Sequence, residues 1–261
     1  MNKFKRMIHG FVKYRYLLSE LVKKGIILKY RRSYLGIIWT LLEPFLNMLV
    51  LTFVFGTLFG NSDRAYPVYI LSGRLLYSRF SQATKASLRS IRANSGMINK
   101  VYVPKYLYPL SGVLYSYVIF LFSLVVLVAV ALFLGVWPTW HLLLALIPLV
   151  LLLLFSLGIG MILATMGVFF RDMEYLWDVA LTLLMYLCAI FYYPDQFIAA
   201  GKGWVLNGNP LYCIIALFRS CIYGTALDPF QLGYASLWCT ATLIAGIFIF
   251  YRKQDKFVLY I

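Results

Sequence analysis

Carboxylates are scarce in this chain. Nine Asp and Glu residues stand against 24 Lys and Arg in 261 residues, and only two residues are His. General acid–base chemistry needs such a group placed against a partner, and no nucleophile–base pairing or His/Asp constellation of a transferase stands out. His9 and His141 lie too far apart to suggest a metal site. The four cysteines (Cys188, Cys213, Cys221 and Cys239) lack CxxC spacing and sit in apolar surroundings, as ordinary buried thiols do. The chain also has no G-x-x-x-x-G-K-[ST] loop, so it cannot cradle the phosphates of ATP in that way. Together these absences predict a protein that is not an enzyme by itself and holds no metal or cofactor of its own.

What the chain has instead is apolar length. Hydrophobic residues make up 62% and charged residues 13%, with a mean hydropathy of +0.82; a soluble domain carries about 25% charged residues. From Tyr106 to Phe170 the only ionisable side chain besides tyrosines is His141. Apolar runs of about 18 residues or more read as transmembrane helices. An all-α polytopic membrane protein is therefore expected, a single domain over residues 1–261. It divides into a cytoplasmic interfacial segment (1–35), a six-span bundle (36–251) and a cytoplasmic tail (252–261). The spans are placed at 36–59, 66–86, 109–134, 141–169, 173–193 and 229–251. Residues 194–228 are apolar but broken by GKG, by NGNP and by Arg219. Neither half reaches spanning length, so two short re-entrant helices are expected there, with backbone buried in protein or facing water. A seventh span would instead put the C-terminus outside.

Orientation follows from where Lys and Arg fall. Ten lie within the first 32 residues, and the loop after the second span adds Lys85, Arg89, Arg92, Lys100 and Lys105. Arg171, Arg252, Lys253 and Lys256 fall on the same side, against Arg64, Lys202 and Arg219 on the other. Both termini are thus expected in the cytoplasm, in a multi-pass protein of the inner or plasma membrane. The positive charge becomes a topology signal, and nucleic acid loses its main support as a partner. The basic leader has no compact apolar core followed by a small-residue cleavage site, so a signal peptide is not expected. Phe4, Met7, Ile8, Phe11, Leu18, Leu21 and Val22 recur at helical spacing among lysines and arginines, which suits an amphipathic helix lying in the membrane interface against lipids.

Charge inside a span is costly and marks function by default. Glu43 lies seven residues into the first span, roughly 10 Å at 1.5 Å per residue. Arg79 falls at a similar depth in the second span, about 10 Å from its inner edge, and Asp178 reaches a comparable level in the fifth. The expectation is that Arg79 is neutralised by Glu43, by Asp178 or by both. Pro44 beside Glu43 removes a helical hydrogen bond and frees the carbonyl of Thr40, so the kink and the carboxylate together would border a cavity. Trp39, Phe45 and Phe53 in the first span, and Tyr186, Phe191 and Tyr192 in the fifth, are either interface anchors or flat faces for sugar C–H groups; composition does not separate the two. In the basic loop after the second span, residues 93–100 are expected to form a short helix suited to docking a cytoplasmic partner.

Four segments in order then resemble one family: YRRSYLGIIWTLLEP (30–44), ANSGMINKVYVPKYLYPLS (93–111), GVFFRDMEYL (167–176) and NPLYCIIALFR (209–219). Over almost the whole chain they are similar to the membrane subunit of type-2 ABC exporters of cell-surface polysaccharide, the O-antigen, capsule and teichoic-acid permeases. The resemblance implies a homodimer working with two copies of a separate ATPase, which would hold the ATP and Mg, and a lipid-linked glycan as cargo. By position it implies that Asn94, Ser95, Gly96, Met97, Ile98, Asn99, Lys100 and Lys105 contact the ATPase. Arg171 and Asp172 would secure the junction between the fourth and fifth spans. Trp39, Glu43, Phe45, Phe53, Arg79, Tyr186, Phe191 and Tyr192 would line the glycan path, and Asn209, Pro210 and Arg219 would form the outer gate. A type-2 permease for drugs or lipids would share the plan. A secondary transporter or channel acting alone would instead show internal repeats and more buried acids, which this sequence does not.

Overall fold

The computed structural model describes residues 13–30, 34–59, 63–98, 100, 103–137, 139–199 and 201–260. Among them the regular structure is helical. In chain order the elements are α1 (Arg15–Tyr30), a 3-10 turn (Gly36–Ile38), α2 (Trp39–Phe59), α3 (Tyr66–Ala93), α4 (Ser95–Ile98), α5 (Leu107–Phe133) and α6 (His141–Leu144). There follow α7 (Leu146–Phe169), α8 (Met173–Leu187), α9 (Asp195–Ala199), α10 (Gly203–Asn207), α11 (Pro210–Tyr223), α12 (Pro229–Lys253) and a closing 3-10 turn (Gln254–Leu259). Helices satisfy their backbone groups internally, which an apolar medium requires.

The bundle is built around α3, which packs against α2, α5, α7, α8 and α11. This is the least apolar of the long helices, and its Ser72, Arg79, Thr84, Ser87 and Ser90 are buried. α7 and α12 form the other major contact. Their crossing depends on small residues: a Cβ on Gly158 would lie 2.6 Å from the backbone of Thr242 and Leu243, and Gly246 faces Gly158 in turn. Close backbone approach of this kind replaces the hydrophobic drive that is missing between helices in lipid.

Among the described residues four stretches are long and apolar enough to cross a membrane: Gly36–Leu58, Leu107–Phe133, His141–Phe169 and Pro229–Leu259. The other two expected spans differ from them for physical reasons. α3 is long, 28 residues or about 42 Å at 1.5 Å per residue, but too polar to qualify on apolarity. α8 has 15 residues, about 22 Å. It stops at Leu187 rather than 193 because the chain turns inward at Ala189, whose φ is +46°. Cys188, Ala189, Ile190 and Phe191 are buried in that turn. Residues 194–228 form three helices, α9 to α11, rather than two.

Half of the amphipathic leader (Phe4, Met7, Ile8 and Phe11) lies outside the described residues. In the half that is described, Leu18 and Leu21 are buried and α1 packs along α5. The C-terminal segment is not a loose tail. Phe257 tucks under the bundle against Phe250, with ring centroids 5.2 Å apart, and joins the cluster that holds Leu18, Leu21 and Ile91.

Candidate functional site

α2 runs unbroken through Pro44. The carbonyl that proline leaves unbonded is that of Thr40, four residues earlier, and it accepts a hydrogen bond from Ser123 Oγ of α5 at 3.0 Å. The first half of α2 is thereby tied to the bundle. Beside this contact lies a cavity of about 50 Å³ bordered by Glu43, Pro44, Arg79, Gln82, Lys29 and Ser123. The structure thus brings Glu43 and Arg79 to one cavity, as their matched depth predicted.

It does not pair them. Asp178 is taken by Lys85 at 2.8 Å, and among the described residues, which include all nine carboxylate side chains, Arg79 makes no ion pair. The expected neutralisation of Arg79 is corrected accordingly, because the cation of α3 that reaches Asp178 is Lys85, six residues further along. Arg79 is 3% exposed. Its Nη2 donates to Gln82 Oε1 at 2.9 Å, while Nε and Nη1 have no partner. Lys29 Nζ of α1 donates to the same Gln82 oxygen at 3.3 Å. Burial, and secondly the Arg79 charge, push the Lys29 ammonium below its ordinary value, with Glu43 acting in the opposite sense.

Nearer the start of α3 a second buried arginine has both terminal nitrogens engaged, its Nε alone lacking a partner. Arg219 of α11 donates through Nη1 to the carbonyl of Ala189 and through Nη2 to that of Tyr69, each at 3.0 Å. Its guanidinium carbon stands 3.5 Å from the centroid of the Tyr69 ring. A Cβ on Gly73 would overlap Arg219 Nη2, so glycine at 73 leaves the space the guanidinium occupies. The same cluster satisfies the carbonyls exposed where α8 ends inside the bundle. Tyr66 Oη donates to Phe191 O at 2.6 Å, and Tyr69 Oη lies 2.9 Å from both Ala189 O and Tyr192 O. Asn209 caps α11 by accepting from Leu211 N at 3.0 Å, ahead of Pro210 in the first turn, and its Nδ2 donates to Leu187 O at 3.3 Å. Asn209, Pro210 and Arg219, the residues expected at the outer gate, therefore fall in one braced cluster. Tyr66 and Tyr69 belong to it too, and sequence reasoning missed them; their one signal was three-residue spacing on a helix that also carries Gly73.

The residues expected to meet an ATPase cluster around the other end. Asn94 closes α3, its Nδ2 donating to Ser90 O at 2.8 Å, and Ser95, Gly96, Met97 and Ile98 form α4. Met97 and Ile98 pack against the cluster of Leu18, Ile91 and Phe257. Lys100 is exposed, Lys105 Nζ donates to Gln254 O at 2.7 Å, and Asn99 lies outside the described residues. Arg171 and Asp172 stand exposed in the turn before α8. The Asp172 carbonyl accepts from Tyr175 N and Leu176 N at 3.1 Å, and the ion pairs nearby are Arg89–Glu174 at 2.9 Å and Lys85–Asp178.

Of the aromatic residues expected along the glycan path, Trp39, Phe45, Phe53 and Tyr186 are exposed, Phe53 at 77%. Tyr192 is half-buried and stacks on Phe197. Phe191 does not line an open path in this chain. The inward turn at Ala189 carries it beneath α2, where it stacks on Phe55 with centroids 4.5 Å apart.

Comparison with known proteins adds a family to this geometry. Residues 16–223 match the family described as ABC-2 type transporter. The chain is 28% identical over 255 residues to the O-antigen export system permease protein RfbA of Myxococcus xanthus, covering 97% of this chain and 98% of that protein. It is 26% identical over 247 residues to an RfbA of Klebsiella pneumoniae, covering 92% and 93%. It is also 25% identical over 261 residues to the polysialic acid transport protein KpsM of Escherichia coli, covering 94% and 96%.

Proposed function

Because the chain belongs to the ABC-2 type transporter family, we propose that it is the membrane permease of an ATP-driven exporter of cell-surface polysaccharide, a multi-pass protein of the inner or plasma membrane. The observation that carries this is end-to-end similarity to O-antigen and polysialic acid permeases. A cargo of the O-antigen or capsule type follows, with teichoic acid as the corresponding polymer where the cell has a single membrane.

In the working form two copies of the chain pair, and two copies of a separate ATPase supply ATP and Mg; the chain itself turns over no substrate. The four apolar helices span the membrane, joined by α3 and by α8 with the turn that follows it, six crossings in all. The helices α9 to α11 dip into the outer leaflet as a re-entrant unit braced by Arg219. With both termini cytoplasmic, α1 lies in the interface and α4 meets the ATPase. Support for this orientation comes from the basic side chains gathered around α1, α4 and the end of α12. The exposed apolar faces of α2 and α8, with Trp39, Phe45, Phe53 and Tyr186 on them, suit the dimer axis and the glycan path, the glycan being lipid-linked.

Deleting the gene tests the reading. Cells should lose their surface glycan and accumulate polymer inside, and the intact gene should restore export. Normal surface glycan in the deletant, in a strain with no second exporter, would overturn it.

A further inference from the structure

The cavity beside Pro44 carries a charge imbalance that the fold does not resolve. Arg79 and Lys29 converge on one neutral oxygen, Gln82 Oε1, at 2.9 and 3.3 Å. The guanidinium is buried, borders the cavity, and has Nε and Nη1 without partners. No carboxylate reaches ion-pair distance of either cation among the described residues. Glu43 lines the same cavity and leaves the pair at a net single positive charge. Arg79 is a buried cation without a counterion, which is costly, and Lys29, itself exposed, adds a second positive charge beside it. Stabilisation is available to any anion that enters.

An entry exists. A groove of about 690 Å³ between α1, α3 and α5 shares Lys29, Glu43 and Gln82 with the small cavity. Its walls carry Lys24, Lys85 and Arg89, but Lys85 and Arg89 are neutralised by Asp178 and Glu174. The uncompensated charge therefore lies at Lys24 on the wall and at the groove's inner end, where the cavity begins and Arg79 adds to Lys29. Leu21, Leu28 and Tyr108 give the same groove an apolar wall. A fork of guanidinium N–H groups with an ammonium beside it matches the several oxygens of a phosphate better than one carboxylate.

We propose that Arg79 and Lys29 form a phosphate site that captures the phosphate ester joining lipid to glycan in the cargo, with Gln82 holding the two cations in the empty state. The chemical class is a phosphate or diphosphate ester on an apolar chain. The assignment of that ester to the cargo rests on the export reading above, whereas the anion site itself does not.

The test uses the full-length permease with its ATPase in a neutral maltoside micelle, followed by thermal unfolding. The probes are a short polyisoprenyl diphosphate, the matching uncharged isoprenol, phosphatidylglycerol and inorganic phosphate. The diphosphate should raise the melting temperature saturably and the isoprenol should not. R79M and K29M should each weaken the diphosphate at least tenfold, and R79K, which keeps the charge but not the fork, should fall between. K29M changes a residue of the peripheral α1, so it remains informative if R79M fails to assemble. Equal diphosphate affinity in wild type, R79M and K29M would overturn the site. An equally strong response to phosphatidylglycerol would assign the site to a membrane lipid, and one to inorganic phosphate would assign it to the free ion; either would overturn the cargo assignment. Failure of the export reading would appear separately, as unchanged surface glycan in the deletant, and would leave these affinities as measured.

Discussion

Among the described residues two arginines are buried, and they are clothed differently. Arg219 has two carbonyls and an aromatic face, Tyr69 lying 3.5 Å beneath it. Arg79 has one amide oxygen, which it shares with Lys29, and a more distant ring, Phe120, whose centroid is 5.7 Å away. Neither has a carboxylate. Each pays for desolvation, and Arg219 recovers more of it from the protein. A cation with both terminal nitrogens bonded to backbone is part of the architecture, whereas one with two unpartnered nitrogens beside a cavity is poised for something else. The largest expected effect measures that difference directly. R219M and R79M remove the same charge and replace it with the same side chain, so relief of desolvation is common to both. R219M should be the less stable by about 2–3 kcal/mol, the worth of one further charged hydrogen bond and a closer cation–π contact. Unfolding midpoints in one detergent decide it, and equal midpoints would show that the partners of Arg219 contribute nothing.

Gly73 sharpens the same comparison without touching a charge. A Cβ there displaces the Arg219 guanidinium from its carbonyls. G73A should cost about 1–3 kcal/mol, as overpacking of a filled interior does, and should cost little more in the R219M background. Full additivity of the two changes would break the argument that they act on one contact. Y69F is milder. It removes the hydroxyl that serves Ala189 O and Tyr192 O but leaves the ring beneath Arg219, so about 1–2 kcal/mol is expected. Limited proteolysis around residues 188–193 should rise in Y69F before global unfolding does.

The two arginines were also unequally legible. Glu43 and Arg79 were placed at one depth by counting residues along two helices, and the structure puts both on one cavity. Pro44 announced a free carbonyl, but Ser123, which accepts the task of satisfying it, lies 83 positions away on α5. The pairing of Arg79 with an acid was wrong because depth alone does not say which face of a helix a side chain occupies. Lys85, not Arg79, points at Asp178. Arg219 was marked as unusual, yet its partners are main-chain carbonyls, and no residue type in a sequence advertises a carbonyl. The end of α8 failed for a related reason. Residues 188–193 are as apolar as a continuing span, and what stops the helix is the set of tyrosines and the arginine waiting on α3 and α11 to receive its carbonyls. A span is read at 66–86 from the sequence although α3 is less apolar than the four long apolar helices; its polar Ser72, Arg79, Thr84, Ser87 and Ser90 are buried because the helix is central.

The smallest expected effect probes Gln82, the one neutral group between two cations. In wild type its oxygen accepts from Arg79 and Lys29, and its Nε2 donates to Ser78 at 3.1 Å. Q82L leaves both cations facing each other across an apolar side chain and should cost about 1 kcal/mol. In R79M the same change removes an oxygen that only Lys29 uses, and Lys29 can turn toward the groove, so the cost should fall close to zero. The gap between those two costs, from a double-mutant cycle, is the energy with which Gln82 holds the cations in place. A phosphate ester supplies the acceptor that Q82L removes, so adding the short polyisoprenyl diphosphate should restore the lost stability in Q82L and leave Q82L/R79M unmoved. If the anion stabilises both variants alike, the stabilisation does not come from Arg79, and the contrast between a structural and a ligand-ready arginine collapses.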